Sequence, residues 1–320
     1  MMRASLSLDL DNKWSYMKTH GNPGWSDFPT YLPQLVPAVL DILDEMKLRI
    51  TFFIVGQDAE RPENAEVLAE IARRGHEIGN HSHHHEPWMH RRGRLEIDDE
   101  LRRAEEAIER VTGARPRGFR GPGFTRSETI LETLVSRGYL YDASSLATFI
   151  GPLARAYYFR SAKLGAADRA EREDLFGSFA DGFRRNSQHR IDLLNGSIAE
   201  IPVTTFPLAK IPIHVSYVLY LAMISPMLAR AYFEVAMTAC KLTHTEPSIL
   251  LHPLDFLTAA DAPELRFFPA MSMNPELKRR VTLESIAALA KHFDVKPMKD
   301  VVNLCAAPAV ASRRESPTPL

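Results

Sequence analysis

The sequence predicts an α/β fold in which parallel strands are joined by helical crossovers. Three observations predict it. Segments with the two-residue alternation or β-branched run of a strand are followed by segments with the period of an amphipathic helix, again and again. Glycines close most of these segments. Reactive side chains fall directly after five of the strand-like segments, as on the active-site rim of a parallel barrel. A barrel and a doubly wound sheet both satisfy the pattern.

The elements follow in order. Ala4 to Asp9 alternates and reads as a strand. Pro33 to Met46 carries Leu35, Val36, Val39, Leu40, Leu43 and Met46 at helical spacing. Ile50 to Val55, closed by Gly56, is a β-branched and aromatic run. Glu63 to Arg74 reads as a helix stopped by Gly75, and His76 to Asn80 as a short strand. Leu95 to Val111 is a long amphipathic helix with Gly113 as its stop. Gly118 to Arg120 is a strand running into Gly121-Pro122-Gly123. Ser127 to Arg137 is a helix stopped by Gly138, and Tyr139 to Asp142 a further strand. Residues 151–196 mix apolar side chains with many charges, Arg184 and Arg185 among them, and predict a helical insertion over the core. Strands return at Ile198 to Phe206 and Ser248 to Leu251, and Leu283 to His292 is a last helix. Residues 1–305 are expected to form one catalytic domain. Residues 306–320, rich in Ala, Pro, Ser and Arg, are expected to be a disordered tail.

Composition narrows the function. The chain has 320 residues, of which 45% are hydrophobic and 25% charged, enough for a substantial core. Its net charge of -1 gives no long-range attraction to nucleic acid. The two cysteines, Cys240 and Cys305, form no CxxC pair, which excludes a thiolate zinc site and a disulfide framework. Met1 to Ser5 runs straight into the first strand and leaves no room for a signal peptide, so a cytoplasmic protein is expected. The apolar stretch 211–237 is interrupted by Pro212, His214, Pro226, Arg230 and Glu234. It predicts a buried helix, or a helix pair broken at Pro226, rather than a membrane span. A surface resting on a bilayer is its alternative use.

Two groups of residues carry chemistry. Asp9 and Asp11 lie two apart in an extended segment, so both carboxylates reach one side while Leu10 faces the core. Two close carboxylates repel unless a cation intervenes, and a metal ion would supply it. His81 and His85 lie four apart, the spacing of one face of a helical turn, within reach of one metal ion. His83 and His84 are expected to pack or face solvent. Asp11, His81 and His85 make a two-histidine, one-carboxylate set that leaves positions open for water and substrate. Non-haem iron oxygenases use the same set. Asp9, placed as a base for water, and the alternation of helix and strand favour a metal-dependent hydrolase.

These motifs carry a resemblance. The segment Gly75 to His85, GHEIGNHSHHH, resembles the metal-binding motif of the polysaccharide deacetylase family, also called the NodB-homology fold or carbohydrate esterase family 4. Thr51 to Gly56, Phe119 to Gly123, Tyr139 to Ser145 and Leu250 to Pro253 resemble the family's second strand, its arginine motif, the following strand and its final histidine motif. The resemblance spans residues 4–145 and returns around 198–206 and 248–300. It implies a distorted (β/α)7 barrel with a helical insertion, and removal of an N-acyl group, most often acetyl, from an amino sugar or polysaccharide precursor. It also implies that Asp11, His81 and His85 bind a divalent metal, usually zinc, with cobalt, nickel or iron as alternatives. Asp9 would take the proton from water, Arg120 would pair with Asp9, and His252 would protonate the leaving amine. The backbone N–H of Gly123 would help hold the oxyanion. Asp255 and Asp142 would support these groups, and His214 and Ser216 would line the sugar pocket.

The chain departs from the family at three places. Leu10 separates the two aspartates where many members have them adjacent. Gly121 and Gly123 replace bulkier residues, which would open the substrate groove. Asp9-x-Asp11 and Glu200-Ile201-Pro202-Val203-Thr204 are similar to deformylases of a lipid-linked amino sugar at the cytoplasmic membrane face. The partner is thus expected to be an N-acylated sugar or glycan, free or lipid-linked, with peripheral membrane contact in the second case. A non-catalytic metal-bound module is the remaining alternative.

Overall fold

The computed structural model describes residues 1–302 except Lys163, Asp174 and Phe176, and leaves the side chain of Glu171 undescribed. The tail expected at 306–320, and Cys305, lie outside the described residues. The strands are β1 (Arg3–Asp9), β2 (Thr51–Ile54), β3 (Glu77–Asn80), β4 (Gly118–Phe119), β5 (Tyr141–Asp142), β6 (His189–Leu193), β7 (Gly196–Glu200), β8 (Ser248–Leu251) and β9 (Asp294–Lys296). The helices are α1 (Lys13–His20), α2 (Leu32–Glu45), α3 (Gly56–Ala59), α4 (Pro62–Arg73), α5 (Arg94–Thr112), α6 (Glu128–Ser136), α7 (Gly151–Ser161), α8 (Ala166–Glu171), α9 (Val215–Ala222), α10 (Pro226–Leu242), α11 (Pro275–His292) and α12 (Met298–Val301).

The strand order is β6-β7-β5-β4-β3-β2-β1-β8, with β9 beside the start of β1, and only the β6–β7 pair is antiparallel. The chain beyond β7 closes the ring. Val203 donates its N–H to Ser145 on one side (2.8 Å), and Thr204 donates to Ser248 of β8 on the other (2.9 Å). Seven parallel strands therefore surround one interior, and the barrel reading holds over the open sheet.

Alternation along β1 shows how the barrel is filled. Leu6, Leu8 and Leu10 join the apolar cluster shared with α2, α4, α9, α10 and α11. Ser7 and Asp9 point the other way, to Arg120 inside. Bulky neighbours fill the rest of the interior. A Cβ on Gly79 would fall 2.5 Å from the Phe53 ring, and one on Gly118 would fall 2.0 Å from Tyr141. At the lower end, α12 plugs the barrel. Met298 N–H donates to the Thr51 hydroxyl (2.8 Å), and Lys299 N–H donates to Glu77 (2.9 Å).

Four segments differ from the sequence expectation. Residues 81–85 form no helical turn; Ser82 and His85 adopt left-handed backbone angles, φ 63° and 51°. Side-chain acceptors impose this loop. Asn80 accepts from Ser82 N–H (2.8 Å), Ser82 from His85 N–H (3.1 Å), and Glu100 from both His83 and His84 N–H (2.9 and 2.6 Å). The strand expected to reach Phe206 ends at Glu200, because Pro202 has no N–H to continue the ladder. Segment 151–196 holds β6 besides its helices. The last long helix starts at Pro275, where the Asn274 side chain accepts from Leu277 N–H. The apolar stretch 211–237 is a helix pair broken at Pro226, with the Ser225 hydroxyl capping α10. No helix among the described residues is long and apolar enough to cross a membrane.

Candidate metal centre and active site

Parallel strands deliver their C-terminal ends to one rim, and the reactive side chains gather there. Asp11, His81 and His85 are buried, and one ligand atom from each lies within 4.8 Å of the others. His81 Nε2 is 3.0 Å from Asp11 Oδ1, and His85 Nε2 is 2.8 Å from the same oxygen. His81 Nδ1 donates to the Arg120 carbonyl at 2.6 Å. That bond puts the proton of a neutral ring on Nδ1 and turns the lone pair of Nε2 toward Asp11. Two acceptors then face each other, and a cation between them satisfies both. The donor set fits a divalent ion of zinc type. When the histidines are protonated instead, burial is outweighed by the His85 charge and the bonds from both rings, which hold the Asp11 pKa well below the usual carboxylate range. Burial also opposes charge on His81, yet the carboxylates of Asp9 and Asp11 raise its pKa; at His85 burial prevails and lowers it.

Asp9 is neutralised separately. Arg120, fully buried, places Nη1 3.3 Å from each Asp9 carboxylate oxygen. Its guanidinium also lies over the Phe53 ring, 4.9 Å from the centroid.

His252 sits at the end of β8. The Ser216 hydroxyl is 3.2 Å from His252 Nδ1 and donates to Asp255 Oδ1 at 2.7 Å. Its one proton goes to the carboxylate, so Ser216 accepts from His252 Nδ1 and leaves Nε2 outward. Asp255 is buried, its pKa raised by desolvation, and its second oxygen accepts from His252 N–H at 2.8 Å. His214 stands beside this chain, its ring 6.0 Å from that of His252. Burial, aided by the charges of His252 and Arg120, pushes its pKa well down.

Residues 24–141 match the family described as polysaccharide deacetylase. That part of the chain is similar to the polysaccharide deacetylase family. The chain is 33% identical over 89 residues to a peptidoglycan-N-acetylglucosamine deacetylase of Bacillus cereus, covering 28% of this chain and 31% of that one. It is 32% identical over 104 residues to the peptidoglycan-N-acetylmuramic acid deacetylase PdaA of Bacillus subtilis, covering 32% and 38%. A chitooligosaccharide deacetylase of Sinorhizobium fredii is 32% identical over 108 residues, covering 33% and 48%. The chain thus spans a third to a half of the length of these relatives. A crystal structure of a protein assigned as a polysaccharide deacetylase from Mycobacterium smegmatis superposes with a TM-score of 0.61 at 20% identity, covering 94% of this chain and 88% of that one. That likeness shows the fold.

The fold places the other expected residues as follows. Gly123 has φ 57°, is exposed, and its N–H has no hydrogen-bond partner among the described residues. Its lack of a side chain is a packing matter, since a Cβ would stand 3.0 Å from Pro87. Gly121 likewise closes a turn rather than opening a groove, for a Cβ there would meet the Thr125 carbonyl at 2.1 Å. Asp142 pairs with Arg126 at 3.4 Å.

Three groups were not foreseen from the sequence. Asp58 is buried behind the metal loop and accepts from Asn12 (2.7 Å) and from Trp14 Nε1 (2.8 Å). Desolvation pushes its pKa up to about 7. Glu100, on α5, holds the histidine loop from outside and accepts from His84 Nδ1 at 2.6 Å. Lys18, Trp25 and Trp88 help line a cavity of about 520 Å³ beside the loop, and Lys18 donates to the His84 carbonyl at 3.1 Å. None of these has a local motif; each is a long-range partner set by tertiary packing.

Proposed function

We propose that this protein is a metal-dependent hydrolase that removes an N-acyl group, most simply acetyl, from an amino sugar or glycan. The observation that carries the reading is the joint arrangement of Asp11, His81 and His85 with the Asp9–Arg120 pair and the His252–Ser216–Asp255 chain. When bound, a divalent ion supplies a Lewis acid for the acyl carbonyl and a water made acidic. Asp9, paired with Arg120, takes a proton from the attacking water. Gly123 N–H offers a donor to the oxygen on which charge develops. His252 Nε2, with its ring oriented through Nδ1 by Ser216, gives a proton to the departing amine nitrogen. A parallel barrel of deacetylase type also weighs against an oxygenase.

The test is acyl release. The zinc- or cobalt-loaded chain is expected to liberate acetate from N-acetylated chitooligosaccharides or peptidoglycan fragments. Asp9→Asn is expected to abolish turnover while keeping the metal. Full turnover in Asp9→Asn would remove Asp9 as the base.

A second reading, deformylation of a lipid-linked amino sugar, has its own observation. At the α9–α10 connection and the first turn of α10, the side chains of Met223, Ile224, Met227 and Leu228 are 48%, 81%, 81% and 50% exposed. α9 begins beside the site, at His214 and Ser216. An apolar tip on the element that lines the site suits an acyl chain or membrane surface. Formate rather than acetate in the release assay would select this reading.

A further inference from the structure

The connection that leaves β5 carries α7 and α8, which lie outside the residues 24–141 that match the family. Their apolar cluster is small: Tyr158, Ala162 and Leu175, with Phe159 and Leu164 packed against them. None of these residues belongs to the clusters of the barrel. Polar ties hold the helix pair to the rest of the fold.

These ties fall on opposite sides of the site. Just before α7, the Thr148 hydroxyl donates to the Lys210 carbonyl at 2.9 Å. Lys210 is four residues before His214, whose ring stands beside that of His252. This end is therefore fixed on the side of the proposed acid. The other end is fixed on the side of the metal ligands. The Tyr158 hydroxyl donates to the Thr19 carbonyl. Arg172, buried just after α8, donates to the same carbonyl at 3.1 Å and to that of Lys18 at 3.4 Å. Its guanidinium lies over the Trp88 ring, 4.7 Å from the centroid. Arg91 donates to the Ala170 carbonyl at 2.9 Å and to Glu173 at 3.0 Å. Lys18 and Thr19 are in the last turn of α1, which starts two residues after Asp11; Trp88 and Arg91 stand on the loop that follows His85. The last carbonyls of a helix lack partners within it, and a cation placed there is favoured.

The parallel strands β1, β3 and β5 deliver all three connections to one rim. α7 has 11 residues, a length of about 16 Å. It joins the two sides between which the proposed substrate lies, with its acyl carbonyl toward the metal ligands and its nitrogen toward His252. A helix laid in that direction obstructs a polymer lowered side-on onto the rim. A free sugar, or the end of a chain, needs no such approach.

We infer that α7 and its latch, Tyr158 and Arg172, select substrate by size: a free N-acyl sugar or the end of a short glycan, and not the interior of a polymer. This inference deepens the deacylase reading and rests on it for the acyl group. The zinc-loaded full chain is tested on diacetylchitobiose, fully acetylated chitohexaose and soluble glycol chitin. Mass spectrometry of the hexamer is expected to place the freed amine on a terminal unit. Acetate release per sugar is expected to be about 10-fold slower from glycol chitin than from chitobiose. Tyr158→Phe combined with Arg172→Ala, which cuts the latch, is expected to raise the ratio of polymer to chitobiose turnover about 10-fold. Should that combination misfold, Arg172→Lys, with charge but without the two-carbonyl grip, is expected to raise the ratio about 3-fold. Retardation in gels containing glycol chitin reads binding without turnover: none for the parent chain, and clear retardation once the latch is cut. Release from interior units of the hexamer as fast as from its ends, or retardation of the parent chain, overturns the size selection. So do an unchanged ratio and unchanged retardation in both variants. Retardation that appears on cutting the latch, with no acyl release from any probe, keeps the size selection and overturns the deacylase reading.

Discussion

The Asp9–Arg120 pair makes a quantitative prediction. Arg120 Nη1 stands 3.3 Å from both oxygens of Asp9, and both side chains are buried. At an effective dielectric of about 20, opposite charges at that distance attract by about 5 kcal/mol. Desolvation cancels a large share of this in the intact pair. It does not cancel when one partner is removed, because the other charge stays buried alone, at a cost of about 3–5 kcal/mol. Arg120→Met and Asp9→Asn are therefore each expected to lose about 3–5 kcal/mol. The double variant should lose about 2–3 kcal/mol less than the sum. Urea unfolding of the metal-free chain, followed by circular dichroism at neutral pH, measures all three. A coupling below about 0.5 kcal/mol would refute the reasoning and reduce the contact to two neighbours of no mutual consequence. Metal content supplies a control. His81 is held by the Arg120 backbone carbonyl, which Arg120→Met retains, so zinc binding should survive while turnover falls.

Other outcomes follow from the same geometry. His81→Ala and His85→Ala are each expected to lower zinc affinity by at least 100-fold in a competition titration with a chromophoric chelator. Ser216→Ala, which removes the link between His252 and Asp255, should reduce kcat about 10-fold with metal content unchanged, measured by acetate release. His76 accepts the Ile50 N–H on Nδ1 and is driven down to about 4 by burial. Its unfolded form binds the proton first, so stability is full above about pH 6.5 and drains away as pH falls toward 4. His76→Asn should flatten that part of the stability profile by an amount on the order of 2 kcal/mol, read by thermal melts across pH.

The parallel strands were legible in the sequence because each carries its own pattern, whereas only the family resemblance separated a barrel from an open sheet. Leu6, Leu8 and Leu10 alternate with Ser5, Ser7 and Asp9, and the structure uses one set against helices and the other inside. The candidate ligands were legible because strand ends place them. What was not legible depended on partners far along the chain. His81 and His85 share a site through a left-handed loop, not a helical turn, because Glu100 and Asn80 supply acceptors that a local reading does not include. Arg126 looks like an ordinary residue before a helix. Only the register of β5 against β7 shows that two buried acids, Asp142 and Glu200, lie beside it. Gly121 and Gly123 were visible as departures, but their cause lay in Thr125 and Pro87.

The two aspartates of β1's end show how one short segment supports two tasks. Two carboxylates two residues apart on one strand face need cations, and a single metal ion between them was the simplest expectation. The structure separates them. Asp11 is compensated by His81 and His85, which converge on one of its oxygens, while Asp9 is compensated by Arg120. In the proposed mechanism the carboxylate that has its own arginine is the one placed to receive a proton, and the one that shares its oxygen with two imidazoles is the one placed to bind an ion. Leu10 is what makes the separation work. By pointing into the apolar cluster it turns both acids to the same rim while keeping them one residue apart, so that the proposed base and the proposed ligand stand side by side without competing for one cation.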